Sequence, residues 1–431
     1  MIKKRFSPST IIAINFLLVI IVGGLLLRLP ISIQKGANLT LINAMYISTS
    51  AVCVTGLSPL DIGTTLTLFG RIVLALLIQI GGLGITVIST LFIIAIGKKV
   101  DIRNRNIIRE TLNFESGKGV VHFVKDVFTT TLIFEFIGSL ICFMVFVRDF
   151  NITRAIGISI FHSISAFNNA GFDILGLGNN LVKYQNNIVL NITTSLLIII
   201  GGLGFLVIRE VFQKRFKWKK YSMHTKVVLY MSLFLTLLGT IVIKYSENIT
   251  LLGAFFTSVS SRTAGFFTFS LKNFKISTNL MIIILMFIGA SPGSTGGGIK
   301  TTTFFVLILG LKENITNKKV QIFHYSLPKN AYKKATAVFI LSISVTLFGV
   351  ILILNFENNL TLLEALFETI SAFATVGLSL DVTSILSNYS KVLCMIMMFV
   401  GRLGPLTITS LGTHSAIGEN VYYPEGNISI G

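Results

Sequence analysis

Charged residues are scarce in this sequence of 431 residues. They make up 12% of the chain, against roughly 25% in an average soluble protein. Hydrophobic residues make up 52%, and the mean hydropathy is +0.81. So few charges cannot cover a water-soluble surface of this size, which excludes an ordinary soluble protein. Apolar stretches long enough to span a bilayer recur instead, among them residues 11–27, 128–147 and 188–208. The composition predicts a polytopic membrane protein.

Cysteine and histidine are also rare. Cys53, Cys142 and Cys394 are far apart and odd in number, so neither a disulfide framework nor a metal cluster is indicated. The five histidines are dispersed, and no apolar segment carries a zinc-protease motif, a nucleophile elbow or a pair of carboxylates. We therefore expect no catalytic residue, and a membrane-embedded enzyme is an alternative without positive support.

The net charge of +19 is concentrated in a few segments. Basic residues cluster at residues 3–5, 98–125, 209–226 and 312–334, which are alternate turns between the apolar segments. This spacing follows the positive-inside rule, so it predicts a plasma-membrane protein with both termini in the cytoplasm. It favours contact with lipid headgroups over binding of nucleic acid.

Four similar stretches align when they are anchored on a glycine. The glycines are Gly56, Gly171, Gly265 and Gly377, and the stretches begin at the hydroxyl residues Ser48, Ser163, Thr257 and Thr369. A second glycine-rich marker follows in each copy, at Gly81-Gly82-Leu83-Gly84, Gly201-Gly202-Leu203-Gly204, Gly289-Ala290 and Gly401-Arg402-Leu403-Gly404. Two markers in the same order in four copies indicate an internal fourfold repeat.

Each copy is typical of a spanning helix, a short re-entrant helix, a glycine turn and a second spanning helix. Non-helical backbone at membrane depth is tolerated only where it is buried in protein or lines a watery cavity. We therefore expect an all-α fold with about eight spanning helices and four half-helices around one pseudo-fourfold pore. The expected repeat boundaries are 1–97, 98–212, 213–312 and 313–431.

The glycine turns suit dehydration of a monovalent cation. Rings of backbone carbonyls replace the water of such an ion, and glycine permits the backbone conformations that aim them. Close helix packing is the alternative role of a single glycine, but four aligned turns argue against it. The predicted ion-binding residues are Val54, Thr55, Gly56, Asn169, Ala170, Gly171, Thr263, Ala264, Gly265, Thr375, Val376 and Gly377. Arg262 is expected behind its loop, bonded to carbonyls or a carboxylate, because a cation in the path would repel the ion.

A polar, glycine-rich stretch interrupts the second apolar segment of the third copy. Its proline and glycines break a helix, and its polarity requires water or protein around it. The residues are Ser291, Pro292, Gly293, Ser294, Thr295, Gly296, Gly297, Gly298 and Lys300. We expect the third copy to contain the only broken inner helix. Arg402 is a costly charge within the last span, where it either fixes helix packing or contributes to a gate.

The four-copy plan with one glycine per loop resembles the Ktr/Trk/HKT superfamily of potassium transporters, and the chain's length is closest to the KtrB-type pore-forming subunit. The resemblance covers almost the whole chain. It implies potassium uptake, because serine in the first loop accompanies sodium permeation in that family and all four positions here are glycine. It also implies that the segment at 291–298 obstructs the pore, with Arg402 near it as an electrostatic barrier.

The same resemblance implies a homodimer that binds separate cytosolic subunits carrying nucleotide sites, and it leaves open whether transport depends on Na⁺. The only ligand expected is the transported K⁺, and the tail at 413–431 is a candidate dimer contact. Two alternatives stay open: an alternating-access secondary cation carrier, and a sodium-permeable member of the same fold.

Overall fold

The computed structural model describes residues 8–96, 119–176, 178, 180–323, 325–328 and 330–404. The predicted basic cluster at 3–5, residues 98–118 of the predicted cluster at 98–125, and the tail at 413–431 lie outside the described residues. The α-helices are α1 (Pro8–Arg28), α2 (Leu41–Val52), α3 (Ile62–Thr65), α4 (Leu68–Leu83), α5 (Ile85–Ala95), α6 (Val120–Phe146), α7 (Ile152–Phe167), α8 (Ile188–Leu203), α9 (Phe205–Gln213), α10 (Met223–Ser246), α11 (Leu251–Ser261), α12 (Ile276–Phe287), α13 (Thr301–Thr316), α14 (Ala331–Phe356), α15 (Leu362–Phe373) and α16 (Asn388–Leu403). A short antiparallel hairpin, β1 (Gln321–Ile322) and β2 (Tyr325–Ser326), joins α13 to α14.

The outer helices α1, α6, α10 and α14 open the four repeats. Within the described part of the chain, each is long and apolar enough to cross a bilayer alone. Counting each bent pair of inner helices as one segment raises the number of possible spans to six. The remaining inner segments are α12, which breaks before α13, and α16, which ends at the limit of the described residues.

The pore helices α2, α7, α11 and α15 follow the outer helices and are too short to cross a bilayer. The hydroxyls of Thr40, Thr250 and Thr361 accept backbone N–H groups at the starts of α2, α11 and α15. Thr361 and Glu364 cap one another in a capping box. These caps explain why α2, α11 and α15 begin where they do.

The four repeats share one packing contact between outer and pore helices. A glycine of the outer helix lies against a hydroxyl residue of the pore helix, in the pairs Gly23–Ser48, Gly138–Ser163, Gly239–Ser258 and Gly349–Thr369. Three of these hydroxyls donate to the outer helix: Ser48 to Ile20 O (2.7 Å), Ser163 to Glu135 O (2.6 Å) and Ser258 to Thr236 O (2.8 Å). The predicted all-α fold of four repeats around one pseudo-fourfold axis is confirmed.

One position of the sequence alignment is wrong. Ser258, and not Thr257, makes the contact that Ser48 and Ser163 make in their repeats. One residue fewer separates Ser258 from Gly265 than separates Ser48 from Gly56. The missing residue lies in the pore helix, because α11 ends at Ser261, three residues after Ser258, whereas α2 ends at Val52, four residues after Ser48. An alignment anchored on the glycines cannot detect this.

The expectation that only the third inner helix is broken is also wrong. The pairs α4–α5 and α8–α9 each bend by 97°. The bends lie at Gly84 and Gly204, whose φ angles of +87° and +91° are incompatible with a right-handed helix and accessible chiefly to glycine. α16 ends at the equivalent Gly404, with φ +87°. The second marker thus ends an inner helix in three repeats.

Candidate ion pathway

The four predicted turn glycines form a closed ring. Each glycine lies so close to the next repeat that a methyl group built on it would overlap a carbonyl oxygen there. The pairs run around the axis as Gly56 with Ala170 O, Gly171 with Ala264 O, Gly265 with Val376 O and Gly377 with Thr55 O. The structure therefore brings all four predicted loops together, with the carbonyl that precedes each glycine against the glycine of a neighbouring repeat.

The backbone of the loops is held in an unusual conformation. Val54, Asn169 and Thr375 lie two residues before their glycines and have φ angles of +59°, +58° and +52°. Thr263, at the corresponding place in the third loop, does not share this conformation. Left-handed backbone at non-glycine residues costs about 1–2 kcal/mol each, so the surrounding structure must enforce it.

Pore-helix serines supply part of that constraint. The Ser50 and Ser371 hydroxyls accept the N–H groups of Gly56 and Gly377 at 3.0 and 3.1 Å. The Ser165 hydroxyl donates to Phe172 O at 2.8 Å, and Ser260 makes the matching bond to Phe266 O. Each loop is thus tied to its own pore helix close to its glycine.

The side chains of the ring divide into two halves. The Asn169 amide lies 2.7 Å from the Thr263 hydroxyl, so these two loops are joined to each other. The hydroxyls of Thr55 and Thr375 are buried and have no hydrogen-bond partner among the described residues. The Thr55 and Thr375 hydroxyls of the first and fourth loops are therefore not engaged in hydrogen bonds, whereas the side chains of the second and third loops bond each other.

A vestibule of about 260 Å³ opens on one side of the ring. All four turn glycines line it, together with three carboxylate residues from the following segments, Asp61, Asp173 and Asp381. Asp61 also caps α3 by accepting the N–H of Gly63 at 2.7 Å. A cleft lined by charges of one sign raises the local concentration of counter-ions, so this vestibule attracts cations.

The segment 288–300, here called the crossing segment, lies against the ring on the side away from the vestibule. Gly296 lies against the side chain of Thr263 and Gly297 against that of Thr375, so close that neither position has room for a methyl group. Ser291 N donates to Gly202 O at 3.1 Å, and Phe205 N donates to Gly293 O at 3.1 Å. Two of the predicted gate residues therefore pack against the third and fourth turn loops, and the segment is bonded to the inner helices of repeat 2.

Two cations hold this segment in place. The Lys300 ammonium donates to Gly296 O at 2.7 Å, within the segment itself. The Arg402 guanidinium donates to Thr295 O and to Gly81 O, with a longer contact of 3.5 Å to Gly82 O. Arg402 thus bridges repeat 4, the crossing segment and the inner helix of repeat 1.

A protein-family model described as TrkH, cation transport protein, matches residues 2–243 and 223–413. The chain belongs to this TrkH family. Membership makes it a multi-pass membrane transporter of cations and not an enzyme, and it confirms the predicted Ktr/Trk superfamily.

Relatives in the TrkH family match along nearly their full length. The chain is 36% identical over 440 aligned residues to the Ktr system potassium uptake protein B of Bacillus subtilis (strain 168), with 99% of this chain and 97% of the relative covered. It is 33% identical over 448 residues to the potassium/sodium uptake protein NtpJ of Enterococcus hirae, covering 100% and 98%. The crystal structure of the potassium transporter TrkH from Vibrio parahaemolyticus has a TM-score of 0.74 at 18% identity, covering 96% of this chain and 86% of that one. That likeness shows the fold alone.

Two residues behind the ring of this TrkH-family chain link the loops to the outer helices. Arg262 donates to Ser232 O at 3.2 Å and to the Thr236 hydroxyl at 3.4 Å, both on α10. The expectation that it lies behind its loop and bonds carbonyls is confirmed. Asn168 donates to the Glu135 carboxylate on α6 and to the Gln79 amide oxygen on α4, both at 2.9 Å.

Sequence reasoning missed two buried carboxylates among these supports. Glu135 accepts from Asn168 and from Gln79 (3.2 Å). Glu368 lies in the pore helix α15 and accepts from the hydroxyls of Ser379 (2.7 Å) and Thr383 (2.5 Å). Each lies buried within an apolar helix, and an intramembrane acid is by default a functional candidate. That signal was available in the sequence.

Asn168→Ala should destabilise the protein by about 1–3 kcal/mol, because Glu135 loses a donor while it stays buried. Alanine already occupies the equivalent place in repeat 4 as Ala374, so the smaller side chain fits this position. The thermal unfolding midpoint in detergent measures the effect. Glu135→Gln should reduce the loss caused by Asn168→Ala, and purely additive midpoints in the double variant would contradict the pairing.

Proposed function

We propose that the chain mediates potassium uptake across the plasma membrane, through a filter formed by the four glycine loops. The observation that carries the proposal is the closed ring in which each turn glycine abuts the carbonyl that precedes the next one. Such a ring presents four oxygens without a fixed charge, which lets an ion replace its water and still leave. The names of relatives, potassium uptake and potassium/sodium uptake, support the choice of a monovalent cation.

In the proposed mechanism an ion enters from the acidic vestibule and exchanges its water for carbonyl oxygens at the ring. The pore helices end close to the ring and direct the negative ends of their dipoles towards it. The Thr55 and Thr375 hydroxyls receive the ion on leaving. The segment 291–298 closes the path below them, and Arg402 stabilises the closed position. The repeats 1–97, 98–212, 213–312 and 313–431 each contribute one quarter of this path.

The assembly proposed for this transporter is a homodimer with both termini in the cytoplasm. The relative from Bacillus subtilis is named as part of a Ktr system, which supports a separate partner subunit. We assign to that partner the nucleotide-binding regulatory role, with membrane lipids around the dimer and no nucleic acid. The name of NtpJ includes sodium, which keeps sodium permeation or Na⁺ dependence within the proposal.

Growth of an uptake-deficient bacterium in limiting potassium tests the function. Expression of this chain with a cognate regulatory subunit should restore growth, and accumulation of rubidium as a potassium tracer should rise with it. Tracer uptake that saturates at carrier-like turnover, and stays unchanged when segment 291–298 is deleted, would favour the alternating-access alternative. Growth that is restored in limiting potassium without any uptake of the rubidium tracer would contradict potassium transport.

Acidification of the vestibule side should reduce cation influx with a midpoint near pH 6. Burial of the Asp173 carboxyl, together with the nearby negative Asp61, raises its pKa to about 6, although hydrogen bonds from Leu175 N and Asn180 act in the opposite direction. Asp173 is therefore charged above pH 6 and neutral below it. Neutralisation removes one attraction for cations at the mouth.

Two variants separate Asp173 from the rest of the vestibule. Asp173→Asn should give a constant low influx without the midpoint near pH 6. Asp381→Asn removes a charge from the same vestibule and keeps Asp173, so influx should fall while the midpoint remains. A midpoint that survives in Asp173→Asn would assign the titration to another group.

A further inference from the structure

A lipid-facing groove lies between α4 of repeat 1 and α7, the pore helix of repeat 2. Its volume is about 530 Å³, within the range of about 300–1,000 Å³ typical of small-ligand sites. Its walls are mainly apolar, and among them Leu68, Ile72 and Ile160 have side chains 70%, 50% and 48% exposed. The ion path described above uses none of these residues.

Two arginines stand at one end of the groove. Arg71 lies in the first turn of α4 and Arg154 in the first turn of α7, so both are at the level of the vestibule loops. Arg71 donates to the carbonyls of Leu66 and Gly63, and Arg154 donates to Leu175 O at 3.1 Å. In the described residues neither forms an ion pair with a carboxylate.

The charges at this end are poorly compensated. Arg71 and Arg154 carry like charges at one end of the groove, and the Arg154 guanidinium also lies over the Phe150 ring, 4.8 Å from its centroid. A guanidinium has five N–H donors, and the carbonyl contacts leave several of them uncommitted. Paired guanidinium forks suit a phosphate, which accepts two parallel hydrogen bonds from each.

We propose that this groove binds an anionic phospholipid from the leaflet on the vestibule side, with its phosphate between Arg71 and Arg154 and one acyl chain along the apolar wall. The groove carries positive charge at one end and has apolar walls along the rest of its length. This combination fits a lipid better than a free anion. The groove separates two repeats, and Gly63, which Arg71 contacts, packs against Gly176 of repeat 2. The bound lipid therefore braces the outer loops of repeats 1 and 2.

Native mass spectrometry of the purified protein in detergent tests the site. Phosphatidylglycerol should bind about tenfold more tightly than phosphatidylcholine with the same chains, a difference of about 1.4 kcal/mol. The double variant Arg71→Gln/Arg154→Gln should bind the two lipids equally. Arg28→Gln is the matched control, because Arg28 lies at the end of α1 on the same side and does not line the groove; it should leave the preference intact.

A second variant tests the apolar part and keeps both arginines. A methyl group built on Gly157 meets no atom within 4 Å, so the groove has room for a larger side chain there. Gly157→Phe should weaken binding of both lipids at least about tenfold. Phosphatidylglycerol should also raise the thermal unfolding midpoint of the wild type and not that of either variant.

Three outcomes would overturn the proposal. The first is equal binding of the two lipids to the wild type. The second is inorganic phosphate that displaces phosphatidylglycerol at equal concentration, which would make the site one for a free anion. The third is a Gly157→Phe variant that dissociates an oligomer without changing lipid binding, which would mean that a second copy covers the groove. None of these readouts depends on potassium transport.

Discussion

Gly56→Ser should lower the permeability ratio of potassium over sodium about tenfold, which corresponds to about 1.4 kcal/mol. A side chain on Gly56 would overlap the carbonyl oxygen of Ala170 in the neighbouring loop. Its φ of +99° also lies outside the range that serine adopts without strain. Relieving the steric overlap and the backbone strain requires the loop or the Ala170 carbonyl to move. The carbonyl ring then loses the spacing with which it replaces the water of potassium and not that of sodium.

Gly36→Ser is the matched control for this substitution. Gly36 has a φ of +88°, similar to that of Gly56, but a methyl group built on it meets no atom within 4 Å. The control carries the backbone strain without the contact to a carbonyl, so its selectivity should equal that of the wild type. The measurement is the ratio of potassium to sodium flux in proteoliposomes. An unchanged ratio in Gly56→Ser would mean that the carbonyl ring does not select the ion.

The repeat and its architecture could be predicted from the sequence because glycine at an obligatory turn is visible in the residue letters. Gly56, Gly171, Gly265 and Gly377 all occupy such turns, and each copy also carries an apolar run before and after. Apolar run length and glycine position are local properties. They specify which segments span, which re-enter and where each loop turns, independently of how the repeats contact one another.

The bends and the supports behind the ring could not be predicted in the same way. Gly84 and Gly204 resemble any glycine in an apolar helix, and their positive φ occurs where the preceding Gly81 and Gly201 pack against pore-helix carbonyls. Asn168 bonds Glu135 on α6 of the same repeat and Gln79 on α4 of repeat 1. Such pairings depend on which repeats adjoin, and a single sequence does not encode that directly.

Arg402→Gln, in a chain that keeps residues 291–298, should raise cation flux at least about tenfold. That increase corresponds to a loss of about 1.4 kcal/mol from the stability of the closed state. The guanidinium donates to Thr295 O on the crossing segment and to Gly81 O on the inner helix of repeat 1. Hydrogen bonds from a charged group contribute about 1.5–3 kcal/mol each. Loss of one such bond is therefore enough for the expected increase.

Arg402→Lys separates the two roles expected for this residue. Lysine keeps the positive charge but cannot bridge two carbonyls as a rigid fork does. If the charge itself is the barrier, Arg402→Lys should conduct as slowly as the wild type. If the bridge holds the segment in place, Arg402→Lys should resemble Arg402→Gln. Tracer flux into proteoliposomes distinguishes these results, and wild-type flux in both variants would remove Arg402 from gating.

Deletion of residues 291–298 should raise flux at least as much as Arg402→Gln, because it removes the obstruction itself. The deletion is structurally feasible. Thr301 N already donates to Ala290 O at 3.3 Å, and Ile288 pairs with Ile299, so the two ends of the segment are adjacent before the cut. Combining the deletion with Arg402→Gln should add nothing, since the carbonyl of Thr295 that Arg402 binds has gone. Additive effects in the combined variant, or a folded deletion with unchanged flux, would show that the crossing segment does not close the path.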